Sequence, residues 1–336
     1  MRERAVAKAA AKAKWLVRNA ESVAYWLVVA PLAARLPARL AYRVACWRAD
    51  WGYRWRGRKR AEVVRNLRQV LGEELGQEQA ERVARDFFRM ISCEVIDVMR
   101  LHGRARSLQK LVEIRGLQHL EAALAEGNGV LLCSAHFGSV SSAFSLLHAS
   151  GFPLTAVGRW PWKYRRGTSA EGWFWDLVFA RRLLRHRQRP NIEPFPGRVQ
   201  VAAQAAVALR ANEVVTISSD APALDASRGG VLDMPFLGRQ ATLAPGVVTL
   251  ARLTGAPVLT MFIHRSADYR HQVLDISPPV PMDGDTAAAF TPCVTAIEAA
   301  IRKGPAQWVY WGETSDLADL GLLSPARDST SSSTAR

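Results

Sequence analysis

Among its 336 residues the chain has no uninterrupted apolar run of roughly 18 or more, the length a conventional bilayer-spanning helix needs. The longest candidate, Val23 to Ala34, is interrupted by Pro31 and ended by Arg35 and Pro37. Cysteine is scarce. Cys46, Cys93, Cys133 and Cys293 lie far apart and form no C-x-x-C pair, which excludes a disulfide framework and a zinc ribbon and makes a reducing, cytoplasm-facing location the expectation. Cys93 and Cys133 sit in apolar stretches and read as small buried hydrophobes. No G-x-S-x-G elbow is present, so an α/β-hydrolase serine nucleophile is not indicated. Gly229-Gly230 and Gly127-x-Gly129 are not phosphate-loop patterns, and no His/Glu cluster has metal-ligand spacing. Neither a cofactor nor a metal is expected.

Acidic residues are rare in one place above all. Residues 1–60 carry 15 Lys and Arg against three acids (Glu3, Glu21 and Asp50), a balance of +12 out of a net +15 for the whole chain. Such a block points to a polyanionic partner, nucleic acid or an anionic membrane surface. Trp15, Trp26, Trp47, Trp51 and Trp55 are interleaved with the basic residues, and tryptophan prefers the membrane–water boundary. The membrane is therefore the expected partner and nucleic acid is not, since no nucleic-acid-binding module accompanies the charge. Residues 1–45 read as an amphipathic, interface-lying anchor, with a short or tilted span as the alternative.

With 49% hydrophobic residues the remainder supports a large core. Residues 59–110 read as helical. From about 112, strands at Val112–Ile114, Val130–Ser134, Leu154–Val157, Ile192–Pro194, Val214–Ser218, Val258–Ile263 and Gln272–Ile276 alternate with helices. Those helices run Leu117–Glu126, Val140–Ser150, Gly172–Arg187, Val199–Leu209, Thr242–Leu253 and Phe290–Lys303. This rhythm predicts an α/β fold with a mainly parallel sheet flanked by helices. The expected organisation is a basic, Trp-rich anchor (1–58), an α/β domain (59–321) and a Ser/Thr-rich tail (322–336).

Ligands of open sheets of this kind bind beyond the carboxyl ends of strands. His136, Asp220 and His264 all fall there. His136 follows the apolar run Val130–Cys133 and precedes the small-residue turn Gly138-Ser139, where an imidazole is well placed to act as a general base. A hydrogen-bonded core histidine is the competing reading.

Several motifs in order resemble those of the lipid A biosynthesis (lauroyl/myristoyl-type) acyltransferase family, within the wider glycerolipid acyltransferases. They are Arg65-Asn-Leu, Gly116-Leu-Gln-His-Leu-Glu-Ala-Ala-Leu, Gly129-Val-Leu-Leu with Ala135-His-Phe-Gly, Asp220 at a strand end, Pro235-Phe-Leu-Gly-Arg-Gln-Ala-Thr, Leu250-Ala-Arg-Leu-Thr-Gly-Ala-Pro-Val and Gln307-Trp. The resemblance spans roughly residues 20–315. It implies transfer of a fatty acyl group from an acyl carrier protein or coenzyme A thioester to a hydroxyl of a membrane glycolipid, on the cytoplasmic face of an inner membrane. By the same resemblance His136 is the base, with backbone N–H groups near Gly138 holding the oxyanion.

The chain departs from the family at one position. The family's histidine is followed, five residues on, by Asp or Glu; here that residue is Ser141. A serine can set the imidazole tautomer but cannot balance its positive charge. Glu193 is the first candidate for the missing acid, because it resembles the acidic position of the mannolipid-acylating branch, and Asp220 is the second. Arg159, Arg181 and Arg187 fall where the family has an active-site arginine. Arg228, Phe236, Gly238 and Arg239 are candidates for contacts to phosphate or the carrier arm. The alternative function is a catalytically silent lipid-binding or scaffolding relative.

Overall fold

The computed structural model describes residues 20, 24–72, 75–101, 109–157, 198–222 and 230–323. A π-helical turn, Tyr25–Val29, leads into α1 (Ala30–Arg35), α2 (Ala38–Trp55), α3 (Gly57–Leu71) and α4 (Gln77–Leu101). Then follow β1 (Val112–Arg115), α5 (Leu117–Ala125), β2 (Val130–Ser134), α6 (Val140–Ala149), β3 (Leu154–Val157), α7 (Arg198–Arg210) and β4 (Val214–Ser218). A hairpin, β5 (Leu232–Phe236) with β6 (Arg239–Leu243), precedes α8 (Gly246–Thr254), β7 (Val258–Arg265), β8 (Gln272–Ile276) and α9 (Thr286–Lys303). Two 3₁₀ turns, Pro305–Gln307 and Val309–Gly312, and α10 (Thr314–Asp319) close the described chain.

Six strands form one sheet in the order β1-β8-β7-β2-β4-β3. All neighbours run parallel except β7 and β8, which pair antiparallel through a short connection. The sheet is α/β and mainly parallel. Every residue of β2 is buried, as a central parallel strand covered on both faces requires.

The hairpin differs from the predicted helix start at Thr242. Thr242 and Leu243 end β6, and α8 begins only after Pro245, which stands at its N-cap. Leu232, Met234 and Phe236 against Ala241 and Leu243 alternate in the period of a strand, and Leu237 and Gly238, both with positive φ, make the two-residue turn.

The N-terminal helices are not set apart from the α/β body. Tyr25, Trp26, Ala30, Ala33, Ala41, Tyr42 and Ala45 share a buried cluster with Cys93, Ile96 and Met99 of α4. The small residues on α1 and α2 allow this close approach. The expected boundary at residue 58 therefore does not divide the described helices into separate units. At the other end, Leu322 and Leu323 are buried in the main core, so the expected tail does not begin at 322; residues 324–336 lie outside the described residues.

Candidate active site

The site follows from strand register. β2 and β4 are parallel neighbours with Ser134 opposite Ser218, and the Ser219 N–H donates to the Ser134 carbonyl at 2.9 Å to extend the ladder. Two residues beyond each paired serine, the chain delivers His136 and Asp220 side by side.

The Asp220 carboxylate is fully buried. One oxygen, Oδ1, lies 2.8 Å from His136 Nδ1. The other, Oδ2, accepts the His136 backbone N–H and the Trp308 indole N–H, each at 2.8 Å. A carboxylate accepts only, so Nδ1 carries the hydrogen and Nε2 is left as the basic nitrogen. The Tyr310 hydroxyl lies 3.3 Å from Nδ1. The imidazole is 42% exposed, so this basic ring opens to the surface rather than being sealed in the core. Burial acts to lower its pKa, but the Asp220 charge and hydrogen bond, helped by Asp316 and Glu94, raise it above the ordinary value.

The segment 304–314 locks this arrangement. The Val309 N–H donates to the His136 carbonyl at 3.0 Å, and the Gly138 N–H donates to the Gln307 carbonyl at 2.9 Å. Gly138 has φ +64°, and any Cβ there would collide with the Ile263 carbonyl oxygen. Trp308 is fully buried, edge-on to Phe236, Tyr310 and Trp311. Asn66, the centre of the Arg65-Asn-Leu motif, donates to the Trp311 carbonyl at 3.1 Å and to Thr314 Oγ1 at 3.0 Å. That motif thus holds the strip carrying Trp308 and Tyr310.

A second buried network ties the helical layer to the sheet. Asp97 on α4 pairs with Arg265 at the end of β7 and accepts from Tyr42 on α2. The Arg265 backbone N–H donates to Gln307 Oε1 at 2.6 Å. Glu94, one turn before Asp97, is partly buried. Burial and the Asp97 charge push its pKa up to about 8 against the opposing pull of Arg265 and His136.

Of the candidates from sequence, His136 and Asp220 meet. Glu193, Arg159, Arg181, Arg187 and Arg228 lie outside the described residues. Ser141 falls in the first turn of α6. The N–H groups of residues 136 and 138 are both engaged within the protein, so neither of these two is free for the oxyanion contact expected near Gly138. Phe236 is buried against Trp308, which makes it a support for that indole rather than a substrate contact. Gly238 serves the hairpin turn, and the Arg239 guanidinium donates to the Gln69 carbonyl on α3. His264 is mostly buried beside Phe137, with its pKa lowered by burial, and is poorly placed as a rival base.

Sequence alone does not mark Trp308, Tyr310, Asn66 and Glu94 as site residues. Glu94 carried a signal: with Asp97 it interrupts the apolar face of Phe87 to Met99. Among the described residues no group of three His, Cys, Asp or Glu side chains gathers to hold a metal.

The geometry is that of a mainly parallel α/β protein with a carboxylate-held histidine at its strand ends, where ligands of such sheets bind. Comparison with known proteins gives the family. The model of the bacterial lipid A biosynthesis acyltransferase family matches residues 10–164 and 176–312. The chain belongs to that family, and its chemistry is O-acyl transfer. It is 24% identical over 237 residues to a lipid A biosynthesis acyltransferase of Haemophilus influenzae, covering 69% of this chain and 68% of that protein. It is 25% identical over 242 residues to a lipid A biosynthesis palmitoleoyltransferase of Escherichia coli, covering 69% and 71%.

Proposed function

We propose that the protein transfers a fatty acyl group from a carrier thioester, on acyl carrier protein or coenzyme A, to a hydroxyl of a membrane glycolipid, with His136 as general base. Nε2 takes the proton of the acceptor hydroxyl as its oxygen attacks the thioester carbonyl. The tetrahedral adduct then collapses, the C–S bond breaks, and the imidazolium returns the proton to the leaving sulfur. Asp220 fixes the tautomer and stabilises the imidazolium between those two steps. Asp220 thus takes the role that the family's acid would hold at position 141.

The observation that carries this reading is the 2.8 Å contact of Asp220 with Nδ1 on a ring that remains 42% exposed. A catalytically silent relative would have no need of a fully buried charge held on its histidine by three N–H groups.

A lipid acceptor is supported by the outer face of the first helices. Leu32, Leu36, Leu40, Trp47, Trp51 and Trp55 are exposed, and the last three form a ladder with ring centroids 5.8 and 6.0 Å apart. Exposed Arg35, Arg39, Arg43 and Arg54 flank them. No described helix is long and apolar enough to cross a membrane. Such a face suits a protein lying in the headgroup region of an anionic leaflet. The expected location is therefore the cytoplasmic face of the inner membrane, where acyl thioesters are available.

The deciding experiment incubates the purified protein with membrane lipid extract and radiolabelled acyl-carrier or acyl-coenzyme A. Transfer that disappears in His136→Ala supports the proposal. Equal background in both proteins favours the lipid-binding relative.

A further inference from the structure

Outside the catalytic site the described chain contains a groove of about 500 Å³ between α3 and the start of α4. Arg60, Arg65 and Arg68 line it above a floor that includes Val64 and Ala61. All three guanidinium-bearing residues are exposed. Arg60 lies over the Tyr53 ring, 5.4 Å from its centroid, and among the described residues none of the three has an ion-pair partner. The one described carboxylate on the rim, Glu81, accepts from Gln77 Nε2 at 2.7 Å, so three guanidinium groups face a single described negative charge.

This concentration of charge works against the helix. Arg65 and Arg68 stand three residues apart on one side of α3, where like charges repel by roughly 0.2–0.5 kcal/mol. The first turn of α3 has no acidic residue and carries Arg58, Lys59 and Arg60, against the preference of a helix N-terminus for negative charge. Arg239 reaches across from the β5–β6 hairpin to the Gln69 carbonyl, adding a fourth guanidinium beside the groove. A ligand in the groove carrying several anionic oxygens would offset the repulsion among Arg60, Arg65 and Arg68. Guanidinium pairs bind phosphate oxygens in bidentate fashion, which bare carboxylates match less fully in charge.

We propose that the groove lined by Arg60, Arg65 and Arg68 is a phosphate-binding site for a phosphorylated ligand, either a lipid headgroup or a soluble phosphate ester. It lies on the opposite side of α3 from Asn66, whose contacts hold the catalytic strip. A ligand there would share α3 with Asn66 without touching His136. The proposal does not depend on acyl transfer, and its test uses none.

Inorganic pyrophosphate is titrated into the full chain by calorimetry, and the protein is also sedimented with phosphatidylcholine vesicles doped with phosphatidic acid or, at equal charge, phosphatidylserine. R65Q/R68Q is compared with the charge-matched R115Q/R210Q, after melting curves show that both are folded. Loss of two charge-assisted contacts should weaken pyrophosphate binding at least about tenfold in the first variant and leave the second at the wild-type value. R65K/R68K, which keeps the charge and loses the fork, should fall between.

If R65Q/R68Q also loses preference for phosphatidic acid, and pyrophosphate releases the wild type from those vesicles, a lipid headgroup is the ligand. If vesicle binding is unchanged while pyrophosphate binding is lost, the site serves a soluble phosphate ester. Absence of pyrophosphate binding by the wild type, or equal weakening in both charge-matched variants, overturns the proposal.

Discussion

Asp220 grips His136 twice, once through the ring N–H and once through the backbone N–H, with 2.8 Å contacts to two different carboxylate oxygens. The double grip fixes ring position and tautomer together. It arises because β2 and β4 are adjacent, parallel and in a register that places the two residues level.

Asp220→Asn tests this directly. Burial alone lowers the His136 pKa, and the Asp220 charge is the main influence raising it. With the charge gone, the base should be neutral at lower pH. The ascending limb of the kcat–pH profile should therefore move to more acid pH while kcat falls. By analogy with the handling of a serine-protease aspartate, the fall should be on the order of 10³–10⁴-fold. A profile that stays in place would remove Asp220 as the partner.

Ser141→Glu should bring no gain. Nδ1 already has a carboxylate in Asp220, so an acid introduced at position 141 meets no unfilled role. Initial rates with either thioester donor should stay within roughly threefold of wild type, below about 0.7 kcal/mol. A gain of a hundredfold would mean that the histidine lacks a working acid.

Glu94→Gln should change stability in a pH-dependent way. The folded-state pKa of about 8 lies above the ordinary carboxyl value. The folded protein thus binds more protons than the unfolded chain between those two values, and wild-type stability declines as pH rises through that window. Glutamine does not titrate. Melting temperatures of the variant and wild type should be similar near pH 4 and should diverge in favour of the variant by pH 8 to 9. Parallel curves would refute a buried acid at this position.

Gly138→Ala should destabilise the fold by at least about 1–3 kcal/mol, since the left-handed backbone is strained for alanine and its Cβ meets the Ile263 carbonyl. Chemical denaturation with the m-value unchanged is the measure. An unaltered midpoint would show that the loop after β2 can relax.

Much of this was readable from the residues. β2, β3, β4 and β8 occupy the expected spans because each is a short apolar run closed by Gly, Pro or polar turns, and His136 and Asp220 follow from where those runs end. Sequence could not rank Asp220 above Glu193, because the ranking depends on which strands are neighbours, a property of the sheet order. The hairpin is not legible in the sequence because Thr242 and Leu243 suit either a strand or the front of α8 until Pro245 is taken as the start signal. Trp308 was visible as a motif, but its indole contact with a residue 88 positions away is a matter of tertiary packing.

The Asp97–Arg265 pair joins α4 of the helical layer to the sheet that carries His136 through a buried contact, with Tyr42 of α2 completing it. Pulling α4 off the sheet would part opposite charges in an apolar interior, a penalty far above thermal energy, and Tyr42 ties α2 to the same buried carboxylate. The tryptophan ladder and the histidine therefore belong to one melting unit: heat or denaturant should release both in a single cooperative step, and a surface that grips the ladder should stiffen the chemistry behind it.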